Sequence, residues 1–208
     1  LLARDTRESG PALAKAVARG AGGEVLDLGV LPTPAASALL AEGWGAAAVV
    51  ITASHNPWFD NGLKVLGAGG VKLSDADEAA LAREMATPRQ HNPSTLHRVP
   101  CDGERAYERL MIERAPAPWR LKGVKIALDA ANGAAARTAP SILHALGVEL
   151  TVIGDTPDGK NINEGVGAVH RARAPRDDAL GERADRVDAD RVHRAVLEIG
   201  RASCRERV

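Results

Sequence analysis

Aromatic residues are scarce in this sequence of 208 residues, making up 2% of the chain, although 45% of the residues are apolar. The apolar content is sufficient for a buried core, and that core must consist mainly of Ala, Leu and Val, as in many Ala-rich α/β proteins. The length allows one large domain, or two domains of about 100 residues each.

An excess of charge of either sign is also missing, since 27 basic residues balance 27 acidic ones. This balance argues against a general nucleic-acid-binding surface and against a surface for anionic membranes. No apolar run approaches the roughly 18 residues of a membrane-spanning helix, and no secretory signal opens the sequence. We therefore expect a cytoplasmic protein with neither a nucleic-acid nor a membrane partner.

Cysteine is nearly absent, and Cys101 and Cys204 lie far apart without the spacing of a metal site. A reduced, intracellular protein is the expectation that follows. The first residues, 1–3, are typical of the end of a strand that is already under way, so we expect the native chain to begin upstream of Leu1.

The most informative stretch begins with an apolar run, Ala46–Ile51, which stops at the small polar cluster Thr52–Pro57. A short run rich in Val and Ala predicts a buried strand, and Asn-Pro predicts a turn after it. Parallel sheets place their sites at the carboxyl ends of strands, so Ser54 is a candidate for covalent chemistry. The alternative is that Ser54 only caps a turn. No Gly-x-Ser-x-Gly elbow surrounds it, which argues against a hydrolase pair with His55.

The segment Ile51–Pro57 (Ile-Thr-Ala-Ser-His-Asn-Pro), followed by Asp60–Lys64 (Asp-Asn-Gly-Leu-Lys), resembles the active-site loop of the α-D-phosphohexomutases. The resemblance implies that Ser54 carries a phosphoryl group, which it passes to and from a sugar-phosphate substrate. It also implies catalytic roles for His55, which helps to bind phosphate, and for Lys64 as an acid/base group. The alternative for the lysine is that it merely coats a strand.

A second segment, Arg4–Gly10 (Arg-Asp-Thr-Arg-Glu-Ser-Gly), is similar to the beginning of phosphohexomutases. The resemblance implies that Arg7 is a catalytic residue close to the phosphoserine, and that Arg4 and Asn56 bind substrate. Two arginines at a strand end can hold a phosphate through paired N–H donors. An ordinary solvated basic loop is the alternative.

The first part of the chain alternates strand and helix patterns in the order β-α-β-α-β, which predicts parallel strands in a layered α/β domain. Ser9, Thr33 and Ser74 are the expected helix N-caps. We expect helices at 12–19, 35–42, 74–85, 103–113 and 140–146, a tight turn at 130–133, and strands at 24–29, 46–51, 62–66, 71–73, 125–129 and 149–153.

Two later segments, 128–133 (Leu-Asp-Ala-Ala-Asn-Gly) and 157–163 (Pro-Asp-Gly-Lys-Asn-Ile-Asn), resemble the second domain of the same family. The resemblance, which covers roughly residues 3–170, implies an α/β fold with two consecutive layered phosphohexomutase-type domains. We expect a nearly complete first domain at 1–87, a linker at 88–102, the start of a truncated second domain at 103–170, and an aberrant tail at 171–208.

The tail has a different character, because ten arginines fall in residues 171–208 against eleven in the 170 residues before them. Lysine and apolar periodicity are both lost there. We interpret 171–187 as a segment translated out of frame, and 198–208 as resembling translated sequencing-library adapter. A natural disordered tail is one alternative. A nucleic-acid-binding tail is another, although interspersed acidic residues and the lack of aromatics argue against it.

The family's magnesium loop, Asp-Gly-Asp-x-Asp-Arg, would fall inside this tail. The resemblance implies Mg²⁺ as cofactor, held by Asp188, Asp190 and an oxygen on Ser54, since Mg²⁺ prefers oxygen ligands. Arg186 stands where the family has its first aspartate, and an arginine cannot bind a cation.

The implied reaction interconverts glucosamine 6-phosphate and glucosamine 1-phosphate through a bisphosphorylated sugar, in the synthesis of UDP-N-acetylglucosamine. The Asp-Asn-Gly variant of the loop favours this sugar. A phosphomannomutase or phosphoglucomutase is one alternative, and a non-catalytic sugar-phosphate-binding paralogue is another. Whole family members have four domains, and the sugar-reading and phosphate-binding domains cannot fit in this chain. We therefore expect little or no mutase activity from it alone.

Overall fold

The computed structural model of the protein describes residues 1–21, 23–86, 96–98, 102–115 and 121–170. These residues form a mixed α/β fold, which confirms the fold class predicted from the alternation of strands and helices. The strands are β1 (Leu2–Arg4), β2 (Val25–Val30), β3 (Ala48–Ile51), β4 (Leu63–Leu66), β5 (Leu96–Arg98), β6 (Lys125–Asp129) and β7 (Glu149–Ile153). The helices are α1 (Gly10–Gly20), α2 (Thr33–Ala41), α3 (Asp75–Met85), α4 (Gly103–Arg114) and α5 (Thr138–Ala145), and a 3-10 turn covers Ala68–Gly70.

The larger sheet has the strand order β4-β3-β1-β2-β5. Strands β1, β2, β3 and β5 are parallel, and β4 is an antiparallel edge strand that pairs Leu63 with Ile51. Because β1 and β3 are parallel neighbours, the loops that follow Arg4 and Ile51 leave the same edge of the sheet. This edge is where parallel sheets place their sites.

The two faces of this sheet bury separate apolar clusters, because successive strand residues point to opposite faces. One face packs against α2 and includes Leu31, Leu39 and Val50. The other packs against α1 and includes Leu2 and Ile51. Both clusters consist mainly of Ala, Leu and Val, as the scarcity of aromatics predicted.

Two of the three expected N-caps are wrong in detail. Ser9 occupies the N-cap position of α1 but makes no side-chain cap, and its hydroxyl instead accepts a hydrogen bond from Asn61. Thr33 lies inside α2, whose N-cap position is taken by Pro32. The third cap is confirmed, because the Ser74 hydroxyl accepts a hydrogen bond from the backbone of α3.

The expected linker contains a strand, since β5 pairs in parallel with β2. The strand expected at 71–73 is reduced to one antiparallel bridge, from Lys72 to Leu66 of β4. Strand β4 pairs with β3 instead, because this pairing completes the edge of a sheet that already buries the neighbouring strands.

A second, two-stranded sheet pairs β6 with β7 in parallel, and α5 packs against β7. The tight turn expected at 130–133 is confirmed, with Ala131 and Asn132 both at positive φ. Helix α4 contacts α5, but it also packs against α2, and its Tyr107 lies in the core of the larger sheet. The division into two domains stays a prediction. In the described part of the chain, every helix is too short or too polar to cross a membrane.

Candidate active site

Ser54 lies on the loop that follows β3, three residues beyond Ile51, and its side chain is exposed. Its backbone is left-handed, with φ of +57°, and its N–H donates to the Thr52 hydroxyl at 3.1 Å. Among the described residues, no hydrogen bond reaches the Ser54 hydroxyl, so this serine does not cap a turn. The structure therefore presents a free hydroxyl at the carboxyl end of a central strand.

The guanidinium of Arg7 lies beneath this loop, and its side chain is completely buried. It donates to the backbone carbonyls of the loop: Pro57, Asp60 at 2.9 Å, Asn56 at 3.0 Å and Ser54 at 3.2 Å. Its remaining N–H group, on Nε, donates to the Asp5 carboxylate at 2.9 Å. An arginine has five N–H donors, and all five are used within the protein.

Arg7 lies next to Ser54, and its expected catalytic role stays a prediction, although in this structure its side-chain donors serve the protein itself. Its donors hold the loop from below, and none is left for a phosphate. Asp5, which is also buried, neutralises its charge. A buried guanidinium with every donor satisfied fixes the geometry around it, so Arg7 determines the shape of the loop that presents Ser54.

Asn163 also reaches this loop, although the sequence predicted no role for it. Its side-chain amide donates to the carbonyl of Ser54 at 2.9 Å and to that of Asn56 at 3.1 Å. Asn163 lies in the 157–163 segment that resembles the family, which is the one signal in the sequence that singles it out. A resemblance of segments could not show which side chain makes the contact.

Two further contacts join the loop after β1 to the turns that follow β6 and β7. The Thr6 hydroxyl donates to the carbonyl of Asn132 at 2.6 Å, and the N–H of Glu8 donates to the carbonyl of Gly159 at 2.9 Å. The turns of residues 129–163 thus pack directly against the loops at the carboxyl ends of β1 and β3.

The two residues expected to bind substrate are held by other contacts. Arg4 forms an ion pair with Asp27 on the neighbouring strand β2, with an N–O distance of 2.7 Å. The Asn56 amide donates to the Asp60 carboxylate at 3.1 Å and so closes the loop on itself. Each of these contacts uses one N–H of the side chain, which leaves further donors on both residues. The substrate-binding roles expected for Arg4 and Asn56 stay predictions.

The other expected catalytic residues, His55 and Lys64, are both exposed. His55 follows Ser54 directly in the loop. Lys64 lies on β4 opposite Val50, and no hydrogen bond or ion pair in the described residues joins it to Ser54. In the described part of the chain, neither side chain makes a hydrogen bond or an ion pair.

The sequence predicted no role for two aromatic residues of the loop, Trp58 and Phe59. The rings of Trp58 and Phe59 contact each other edge to face, with centroids 5.9 Å apart. The ammonium of Lys160 lies 5.6 Å from the Trp58 ring centroid and 3.5 Å from a carboxylate oxygen of Glu8. These contacts again link the loop to the 157–163 segment.

The expected metal site cannot be located, since Asp188, Asp190 and Arg186 lie outside the described residues. Ser54 is the only expected ligand inside them. Within the described ranges, no three His, Cys, Asp or Glu side chains come together as a metal site would require.

Comparison with protein families matches residues 1–92 to the phosphoglucomutase/phosphomannomutase α/β/α domain I. A phosphoglucosamine mutase of Rubrobacter xylanophilus is 42% identical, over 92% of this chain and 48% of its own length. One from Streptococcus thermophilus is 46% identical, over 81% of this chain and 39% of its own length. The chain thus spans less than half the length of these curated relatives.

A solved structure is similar as well. The crystal structure of a phosphoglucomutase/phosphomannomutase family protein from Burkholderia thailandensis superposes with a TM-score of 0.62 and 29% sequence identity. The superposition covers 76% of this chain and 36% of that protein.

Proposed function

We propose that this chain belongs to the phosphoglucomutase/phosphomannomutase family, whose α/β/α domain I its residues 1–92 match, and that Ser54 is its phosphoryl carrier. The observation that carries the proposal is the exposed Ser54 hydroxyl, at the carboxyl end of β3, on a loop fixed by the buried Arg7. A carrier needs an accessible oxygen at a fixed position, because phosphoryl transfer depends mainly on in-line placement and on charge stabilisation.

In the proposed cycle, phosphorylated Ser54 transfers its phosphoryl group to a hydroxyl of a sugar monophosphate. A P–O bond forms to the sugar oxygen while the bond from phosphorus to the serine oxygen breaks. The sugar hydroxyl's proton passes to the serine oxygen through an acid/base group, for which we propose Lys64. The bisphosphorylated sugar then turns over and returns its other phosphoryl group to the serine, with the proton moving in the opposite direction.

The phosphoserine would carry a charge of about −1.5 to −2 that has to be stabilised. Arg7 contributes little net charge, because Asp5 pairs with it. His55 and Lys64 are exposed near the loop and are the proposed phosphate contacts among the described residues. We also propose Mg²⁺ as cofactor, held by Ser54 with Asp188 and Asp190. A bound Mg²⁺ would neutralise phosphate charge.

We propose glucosamine phosphate as the sugar, within the synthesis of UDP-N-acetylglucosamine, because the relatives reported above are named phosphoglucosamine mutases. The chain spans only part of their length, so we propose that it has little or no mutase turnover on its own. Assaying the complete parent protein with glucosamine, mannose and glucose phosphates would separate this sugar from the phosphomannomutase and phosphoglucomutase alternatives.

Phosphorylation of Ser54 can be tested on the chain itself. We would incubate it with glucosamine 1,6-bisphosphate and locate phosphate by mass spectrometry of its peptides. Phosphate on the peptide containing Ser54, and none on the Ser54→Ala variant, is the expected result. The Ser74→Ala variant is the matched control, since Ser74 only caps α3, and it should be phosphorylated as the wild type is. Absence of phosphate on the corresponding serine of the complete parent protein as well would favour the non-catalytic paralogue.

A further inference from the structure

The backbone of Ser54 has a conformation that a serine rarely adopts. Its φ of +57° lies in the left-handed region, which is sterically unfavourable for a residue with a Cβ. Such a conformation persists only where surrounding contacts determine it, and it changes the direction in which the side chain leaves the backbone. The contacts around the carbonyl of Ser54 therefore help to decide the direction in which its Cα–Cβ bond leaves the backbone.

Two side chains supply these contacts, and they do so in the same way. One nitrogen of Arg7 donates to the carbonyls of both Ser54 and Asn56, at 3.2 and 3.0 Å. The side-chain nitrogen of Asn163 donates to the same two carbonyls, at 2.9 and 3.1 Å. The arginine comes from the loop after β1, whereas the asparagine is 109 residues away from Ser54 in sequence.

The Asn163 amide is itself held in place. The backbone of Asn163 is left-handed, with φ of +62°, and the backbone N–H of this residue donates to the carbonyl of Ala131 at 2.9 Å. The turn that contains Ala131 is tied to the same segment by Asn132, whose side chain donates to the carbonyl of Asn161 at 3.2 Å. Asn163 thus reaches the serine loop from a turn that its own hydrogen bonds hold in shape.

We propose that Asn163, in the segment that follows β7, is a positioning residue that holds the carbonyl of Ser54, the phosphoryl carrier. The proposal rests on the proposed function, and it adds a residue that touches neither the hydroxyl nor the substrate. With its carbonyl held by two donors and its N–H held by Thr52, Ser54 keeps its Cα–Cβ bond in one direction. Release of one donor lets Ser54 rotate toward the right-handed region.

Two substitutions distinguish the effect of the side-chain amide of Asn163 from the effect of the strained backbone at this residue. Asn163→Gly removes the donor, and glycine adopts a positive φ without cost. Asn163→Asp keeps the shape of the side chain but replaces the donor by an acceptor, which repels both carbonyls. The matched control is Lys160→Ala, because Lys160 lies in the same segment and contacts Glu8 and Trp58 without touching Ser54.

The first readout is the φ angle of Ser54, measured by NMR from the three-bond coupling between its amide and α protons and from residual dipolar couplings. We expect the left-handed value in the wild type and in Lys160→Ala, and a shift toward the right-handed value in both Asn163 variants. If the substitutions only loosen the contact between the 157–163 segment and the serine loop, the Ser54 angle shifts in all three variants, which contradicts a specific role for Asn163. An unchanged Ser54 angle in both Asn163 variants overturns the proposal.

The second readout is the rate of Ser54 phosphorylation by glucosamine 1,6-bisphosphate. We expect this rate to fall roughly ten- to hundredfold in both Asn163 variants, which is the range for a misdirected reacting group, and to stay near wild type in Lys160→Ala. A wild-type rate in both Asn163 variants contradicts the proposal. If the complete parent protein also takes up no phosphate but the Ser54 angle responds to Asn163, the proposed function fails and the positioning role stands.

Discussion

Arg7 shows how one buried residue can define the shape of a site. A guanidinium in the interior is costly unless its charge is paired and its donors are satisfied. Here Asp5 supplies the paired charge, and four loop carbonyls take the other donors. The same contacts that make the burial of Arg7 tolerable therefore also fix the backbone around Ser54.

The Arg7→Ala variant should lose much of its stability, because it leaves the Asp5 carboxylate buried without its partner. We expect the free energy of unfolding to fall by about 3–5 kcal/mol, the range for breaking one side of a buried ion pair. Urea denaturation followed by circular dichroism measures this difference.

The matched control for that experiment is Arg137→Ala. Arg137 also pairs with a carboxylate, that of Glu104 at 3.1 Å, but its side chain is 79% exposed. An exposed pair of this kind contributes at most about 1 kcal/mol. Equal losses in the two variants would contradict the view that burial gives Arg7 its importance.

At the scale of elements, the segment after β4 is fixed by a close approach to α2. Gly70 has φ of +77°, and a Cβ at this position would lie 2.2 Å from the Ser37 carbonyl oxygen on α2. The Ser37 hydroxyl donates to the carbonyl of Gly70 at 2.7 Å. The 3-10 turn can therefore pack against the helix only because this residue lacks a side chain.

Gly70→Ala and Gly69→Ala form a matched pair that isolates this contact. Gly69 also has a positive φ, +74°, but a Cβ there would meet nothing within 4 Å. Gly69→Ala should cost about 1–2 kcal/mol from backbone strain alone. Gly70→Ala should cost about 1–3 kcal/mol more, because α2 has to move away. Urea denaturation of both variants tests this, and equal losses would show that the approach to α2 does not matter.

At the scale of the whole molecule, α4 connects the two sheets. It packs against α2 and β2 on one side and against α5 on the other. Its Tyr107 ring is 9% exposed and belongs to the core of the larger sheet. Burial raises the pKa of the Tyr107 phenol, since the charged form would lose its hydration.

This raised pKa predicts a loss of stability at alkaline pH. In the unfolded chain the phenol ionises near pH ~10, whereas in the folded chain it stays neutral to higher pH. The stabilisation is thus fully present below the unfolded pKa, and it is lost as pH rises through the folded pKa. We expect the free energy of unfolding, measured with urea, to fall more between pH ~8 and pH ~11 in the wild type than in Tyr107→Phe.

Tyr107 is the single tyrosine of the chain, so its tyrosinate absorbance can be followed directly. The absorbance should rise at a higher pH in the native protein than in urea. Coincident titrations, together with equal alkaline losses in the wild type and in Tyr107→Phe, would contradict the burial of this side chain against the sheet.

The sequence by itself determined the features that depend on neighbours along the chain. The apolar run before Ser54 predicted β3, the residues from Ser74 onward predicted the start of α3, and the turn at 130–133 followed from Asn132-Gly133. Residues within a few positions of one another dictate such features through periodicity, capping and turn chemistry. The resemblance in the Ser54 loop pointed to the same residue that the structure exposes.

Only the tertiary structure decided which distant groups meet. Arg7 and Asn163 hold the same two carbonyls, although one was expected at the phosphate and the other was assigned nothing. Strand β5 was not predicted from its polar segment, because its formation depends on pairing with β2. Contacts of this kind follow from packing and from the need to satisfy buried donors, and no local pattern in the sequence records them.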